Sequence, residues 1–142
     1  MSQVINRNNY SSQRSTYLRF ISTALNYLKS KNISKDEYKD IVVFIFLTMG
    51  EIEKTIQQTI QPWEKRGYWV KADQFRNEWS WVEPLYHSMK TKIEAQNWEK
   101  MRTDLQAIDE ICEDYPPYQR MQIKNPWQGS WQKWNMNKKR AG

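Results

Sequence analysis

"DIVVFIFLTMG", residues 40–50, is the stretch on which the fold turns. Its apolar run, Ile41 to Met49, is about half the length a membrane span needs. A run this short reads as a core helix, and a helix that is apolar on every side has to be enclosed from several directions. It is therefore either the central element of a bundle or a helix whose first half is buried in a dimer interface.

Reading outward, "SKDE" (Ser34–Glu37) has the form of a capping box, in which the serine hydroxyl accepts from the third amide and the glutamate returns a bond to the cap. The spacing predicts helix two from Lys35 to Gln61, its second half narrowing to Ile52, Ile56 and Ile60 at i+4 intervals. Upstream, Leu18, Ile21, Leu25 and Leu28 form one stripe and predict helix one from Ser15, a candidate N-cap, to Lys31. Residues 1–14, rich in Asn, Ser and Gln and without periodicity, read as a flexible lead-in.

Downstream, Pro62 suits the first turn of a new helix and Gly67 a break. Trp69, Ala72, Phe75, Trp79, Val82, Tyr86, Met89 and Ile93 alternate by threes and fours, the pattern of a bundle seam and of a third helix. Pro84 lies inside it and predicts a kink or break between Trp81 and Leu85. After a turn at Gln96 and Asn97, the seam resumes in helix four with Trp98, Met101, Leu105, Ile108 and Cys112. "YPPY" (Tyr115–Tyr118) stops it, because adjacent prolines fix φ and remove donors; the P-x-x-P spacing of a proline-rich ligand is missing. The expected fold class is all-α: a four-helix up-and-down bundle over residues 15–115, its third helix kinked or broken near Pro84, followed by an extended C-terminal arm over 116–142.

Charge separates the arm from the body. All 16 acidic residues lie between Asp36 and Asp114, and the 16 basic residues from Arg7 to Arg102 balance them. Residues 116–142 carry the entire net charge of +6. They also carry Trp127, Trp131 and Trp134, spaced to share one face of a helix. Tryptophan and arginine are frequent anchors at protein interfaces, and Trp127, Trp131, Trp134, Lys133, Lys138, Lys139 and Arg140 are the candidate binding residues of the arm. Trp69 and Trp81 join them from the aromatic block between Trp63 and Trp81, where Lys65, Arg66, Lys71 and Arg76 are interleaved. Trp81, two positions from Trp79, is expected to point away from the seam.

Catalytic signatures are scarce. The one histidine, His87, follows Glu83 by four residues; with Glu51 the two make a conceivable mononuclear metal site, but a lone His beside a Glu is more often a hydrogen-bonding pair. Di-iron bundles need two Glu-x-x-His motifs, which this chain lacks. Cys112, the single cysteine, sits on an apolar seam with no histidine placed to activate it. No glycine-rich phosphate loop or nucleophile elbow occurs. No metal or cofactor is expected, and no catalysis.

One cysteine and a polar start without a signal peptide set the expectation of a reducing cytoplasm. The expected function is a small interaction or adaptor protein presenting the aromatic-basic arm to a protein partner or to a second copy of itself, self-association following from the surplus apolar surface of helix two. One alternative is a nucleic-acid-binding accessory protein, the arm's tryptophans stacking bases and its cations tracking phosphates. Another is a bundle with an aromatic small-molecule pocket lined by Trp69, Trp79, Trp81 and His87.

Overall fold

The computed structural model describes residues 9–141, with the side chains of Arg140 and Ala141 outside the description. Residues 1–8 of the expected lead-in therefore lie outside the described residues. Among the described residues the protein is all-helical, with six α-helices and no strand: α1 (Tyr10–Ser30), α2 (Lys35–Lys65), α3 (Trp69–Glu78), α4 (Val82–Glu94), α5 (Arg102–Ile111) and α6 (Ser130–Ala141). Short 3₁₀ turns at Trp98–Met101 and Cys112–Asp114 flank α5.

Helix α1 starts five residues before the expected Ser15. Asn9 caps it, its side chain accepting from the Ser12 amide, and the added turn brings in Arg14, which is buried. Arg14 donates to the Thr55 carbonyl at 3.3 Å and to Thr59 Oγ1 at 2.9 Å, and lies over the rings of Phe75 and Trp79. Burial lowers its pKa, while the charges of Glu78 and Tyr115 act in the opposite direction. A side chain that looks like part of a polar leader thus ties α1 to α2 and α3.

Helix α2 starts at the expected cap, Ser34 Oγ accepting from the Glu37 amide at 3.1 Å, and continues through Pro62 to Lys65. Proline is tolerated there because Gln58, whose carbonyl loses its partner, faces solvent in the penultimate turns. The stop comes at Gly67, at φ +79°. The Tyr68 amide donates to the Trp63 carbonyl and the Gly67 amide to the Glu64 carbonyl, the Schellman arrangement.

The third helix expected over 69–93, kinked or broken between Trp81 and Leu85, is two helices. They are separated by a turn at Trp79–Trp81, and Pro84 falls in the first turn of α4, where its missing N–H has no intrahelical partner to lose. The interruption resets the phase of the seam, so Trp79 and Trp81, two positions apart, both pack on the core with ring centroids 6.0 Å apart.

Helix α2 packs against α1, α3, α4 and α6; α5 joins α1 to α4. The stretch that is apolar all round is enclosed: Ile41, Val42, Val43, Ile45, Phe46 and Met49 are fully buried and only Leu47 is exposed, at 40 %. The enclosure is intramolecular, so the surplus apolar surface from which self-association was expected is already covered.

The cover comes from the C-terminal segment. It is irregular over 116–129 and helical beyond, not extended throughout. It first runs back along α1, where the Tyr118 amide donates to Thr23 Oγ1 and Arg19 donates to the Pro116 carbonyl while lying 3.8 Å above the Tyr118 ring. A turn through Asn125 and Gly129, both at positive φ, then delivers Trp127 into the core, 3 % exposed, against Tyr27 and Phe44. Asp40, one residue before the apolar run, accepts from the amides of Gly129 at 3.0 Å and Trp131 at 3.1 Å. It caps the start of α6 from the side of another helix, satisfying donors a helix N-terminus leaves open.

Three substitutions probe these turns and caps. Gln96, at φ +53°, closes α4 in a second Schellman turn, with the Asn97 amide donating to the Lys92 carbonyl. Gln96→Gly relieves the left-handed strain and is expected to raise the unfolding free energy by about 0.5–1 kcal/mol in urea denaturation. In the same assay Trp127→Ala is expected to cost about 3–5 kcal/mol, as for other buried large-to-small changes, and Asp40→Ala about 1–2 kcal/mol as a lost cap; effects of both below about 0.5 kcal/mol are what a detached arm would give.

Candidate functional site

The candidate residues of the arm divide on their surroundings. Trp127 is inside the core, Trp134 meets Phe46 edge-on at 5.8 Å, and Trp131 meets Trp98 edge-on at 5.0 Å. The two outer rings also stack on each other. All three therefore act as internal anchors, and their faces are used on the chain's own body. Lys138 is engaged too, 2.7 Å from Glu94 and over the Trp134 ring; its hydrogen bond holds the Glu94 carboxyl below the ordinary range. Lys133 and Lys139 are exposed, and the side chain of Arg140 lies outside the described residues.

The aromatic block separates in the same way. Trp63, Phe75, Trp79 and Trp81 form a continuous set of ring contacts packed on the core. Trp69, which spacing placed on the seam, is 59 % exposed, because α3 begins there and buries only Ala72. None of Trp69, Trp79, Trp81 and His87 lines either of the two clefts seen among the described residues. His87 is exposed on α4, 3.7 Å from Glu83.

The concave site lies elsewhere. A cleft of about 1330 Å³ opens between the α1–α2 turn and the α4–α5 connection. Its apolar lining comes from Leu25, Leu28, Ile33, Tyr38, Trp98 and Leu105, all part of or packed against the core. Its charged lining is one-sided. Lys29, Lys31, Lys35, Lys39 and Arg102 face only Glu99 and Asp109, and Asp109 is paired with Lys29 at 2.7 Å. Lys39 lies 5.6 Å from the Trp98 ring centroid, a cation–π contact. Burial raises the pKa of the Tyr38 phenol, with Arg102 acting against it, so the hydroxyl stays protonated and can donate.

Spacing along the chain gave no sign of this cleft. Its cations lie on α1, the α1–α2 turn, α2 and α5, and of them only Lys35 and Lys39 share a helical stripe; only the fold gathers Lys29, Lys39 and Arg102. The capping box at Ser34 was the one local signal, since it fixes where α2 begins and hence where Lys35 and Lys39 stand.

The nucleophile candidate has no thiolate to offer. Cys112 is 3 % exposed, and burial, aided by the charge of Asp109, pushes its thiol up to about 12. At pH 8, alkylation of Cys112 by iodoacetamide is expected to be slow in the folded protein and fast in urea, with the native rate set by opening of the fold; native-state labelling as fast as that of the unfolded chain would contradict the burial. Compared with known protein families, characterised proteins and solved structures, the chain matches none.

Proposed function

We propose that the protein is a non-catalytic interaction module and that its docking site is the basic cleft, which takes an acidic, amphipathic segment of a partner protein. The arm identified from the sequence serves in this reading as part of the scaffold, not as the contact surface. The scaffold itself fits a four-helix up-and-down bundle, in which α1 pairs with α2, α2 with α4, α4 with α5, and α5 with α1, with the third member broken ahead of Pro84 and α6 added as a cover.

The observation that carries the proposal is the lining of the cleft, where four cations without an acidic partner among the described residues stand around an apolar floor. Apolar side chains of a partner would gain by burial on Leu28, Ile33, Trp98 and Leu105. Carboxylates would be drawn to Lys31, Lys35, Lys39 and Arg102, fixing orientation and raising the association rate. The volume exceeds the roughly 300–1,000 Å³ usual for small-molecule pockets, which favours a length of chain as occupant. A single-stranded nucleic acid is less well suited, because Trp127, Trp131 and Trp134 are committed to internal contacts and no run of free aromatic faces accompanies the cations.

Fluorescence anisotropy tests the proposal with a labelled helical peptide carrying leucine and phenylalanine on one face and glutamate on the other, at low salt. Saturable binding is expected to weaken at least tenfold in Lys35→Glu/Lys39→Glu. Lys35 begins α2, where an acidic residue favours the helix, while Lys39 stands in the second turn beside Trp98, so unchanged circular dichroism is the check that the double variant folds. Arg120→Glu/Lys124→Glu, outside the cleft, is expected to bind as the parent does. Equal binding by the charge-reversed cleft variant, or tighter binding of an oligothymidine than of the peptide, would overturn the assignment.

A further inference from the structure

The α2–α3 corner is a separate surface of opposite shape. Tyr68, Trp69 and Val70 are consecutive and exposed at 51 %, 59 % and 72 %, three of the most exposed large apolar side chains among the described residues. They are presented at a convex turn. The Gly67 cap reverses the chain there, and no atom outside the turn lies within 4 Å of where a Gly67 side chain would begin. Beneath the tip the support is firm, because Trp63 packs edge-on against Phe75 and Lys71 lies 4.6 Å from the Trp63 ring centroid.

The charge around the tip is positive. Lys65, Arg66 and Lys71 are exposed, whereas the neighbouring acids Glu64 and Asp73 are both bound by Arg76. Three cations therefore surround three apolar residues with no unpaired carboxylate of Glu64 or Asp73 between them. We infer that this corner is a contact for the surface of an anionic lipid bilayer. Tryptophan and tyrosine settle at the headgroup boundary, where an apolar ring and a polar N–H or O–H are both accommodated. Lysine and arginine flanking them are attracted by anionic headgroups, each cation worth about fivefold in partitioning. A convex tip suits a flat, deformable surface better than a groove. It does not suit the cleft of a second copy, where cations would meet cations. No described helix is long and apolar enough to cross a membrane, so the contact is peripheral and reversible.

Flotation of the full chain with vesicles tests the inference, comparing phosphatidylcholine alone with phosphatidylcholine containing phosphatidylserine. Association is expected only with the anionic vesicles and is expected to be reversed by salt. Trp69→Ser and, separately, Arg66→Glu are each expected to reduce the partition coefficient about tenfold or more, with unchanged circular dichroism because both side chains are exposed. Arg120→Glu/Lys124→Glu, which removes as much positive charge at exposed positions outside the corner and the cleft, is expected to float as the parent does. Three results would overturn the inference: no flotation with anionic vesicles, which would leave the corner as an anchor for a protein; flotation indifferent to Trp69→Ser; or equal loss in Arg120→Glu/Lys124→Glu.

Discussion

The structure depends on how one helix is covered. The central helix α2 is apolar around its whole circumference from Ile41 to Met49, and leaving that surface in water would cost roughly 25 cal/mol for every Å² of it. Helix α1 and the α3–α4 pair cover part of it. The remainder is closed by residues some ninety positions further along the chain, with Trp127 as the wedge and Asp40 as the clasp. The indole N–H of Trp127 finds no acceptor among the described residues, a cost of about 1–3 kcal/mol; burial of so large a ring outweighs it. Helix α6 then follows from the geometry of the clasp, since Asp40 satisfies amides at its N-terminus while Trp131 and Trp134 hold its inner face.

That α2 must be enclosed was legible, because periodicity reports burial on every side. What encloses it was not. An apolar stripe on a neighbouring helix and the face of a second copy leave the same mark on α2, and only the three tryptophans hinted at a third solution. Their spacing suggested one helical face, and Trp131 and Trp134 do share the inner side of α6, whereas Trp127 enters the core from the turn before it; their basic neighbours suggested an outward role. Charge belongs to the solvent side of α6 and says nothing of where its aromatic side goes. Arg14 escaped for a related reason: a buried guanidinium held by carbonyl, hydroxyl and aromatic rings has no hydrophobic signature. Pro84 signalled an interruption, but a proline is as comfortable in a first turn as it is disruptive in a middle one, so the break moved ahead of it.

The two candidate surfaces differ in how they arise. The corner at Tyr68 to Val70 is written in consecutive residues, and the misfit of Trp69 lay only in assuming that the seam began there. The cleft is assembled from residues 25–39 and 96–109, and its positive character is invisible to any count, since the body as a whole is neutral. Pairing decides the local sign: Asp109 is held by Lys29, and Asp104 is buried between Ser88 and Lys92, so acids that balance the total do not balance the cleft.

The order of elements along the chain has a consequence for synthesis. Helix α2 leaves the ribosome roughly ninety residues ahead of the segment that closes it, an interval of about 5–20 s at usual rates of translation. Through that interval Phe46 and its neighbours lack the tryptophans that shield them, and a nascent chain in this state is a natural client for a holding chaperone. The final packing of the core waits on α6, and a chain stopped before Trp127 lacks the rings that cover Phe44 and Phe46.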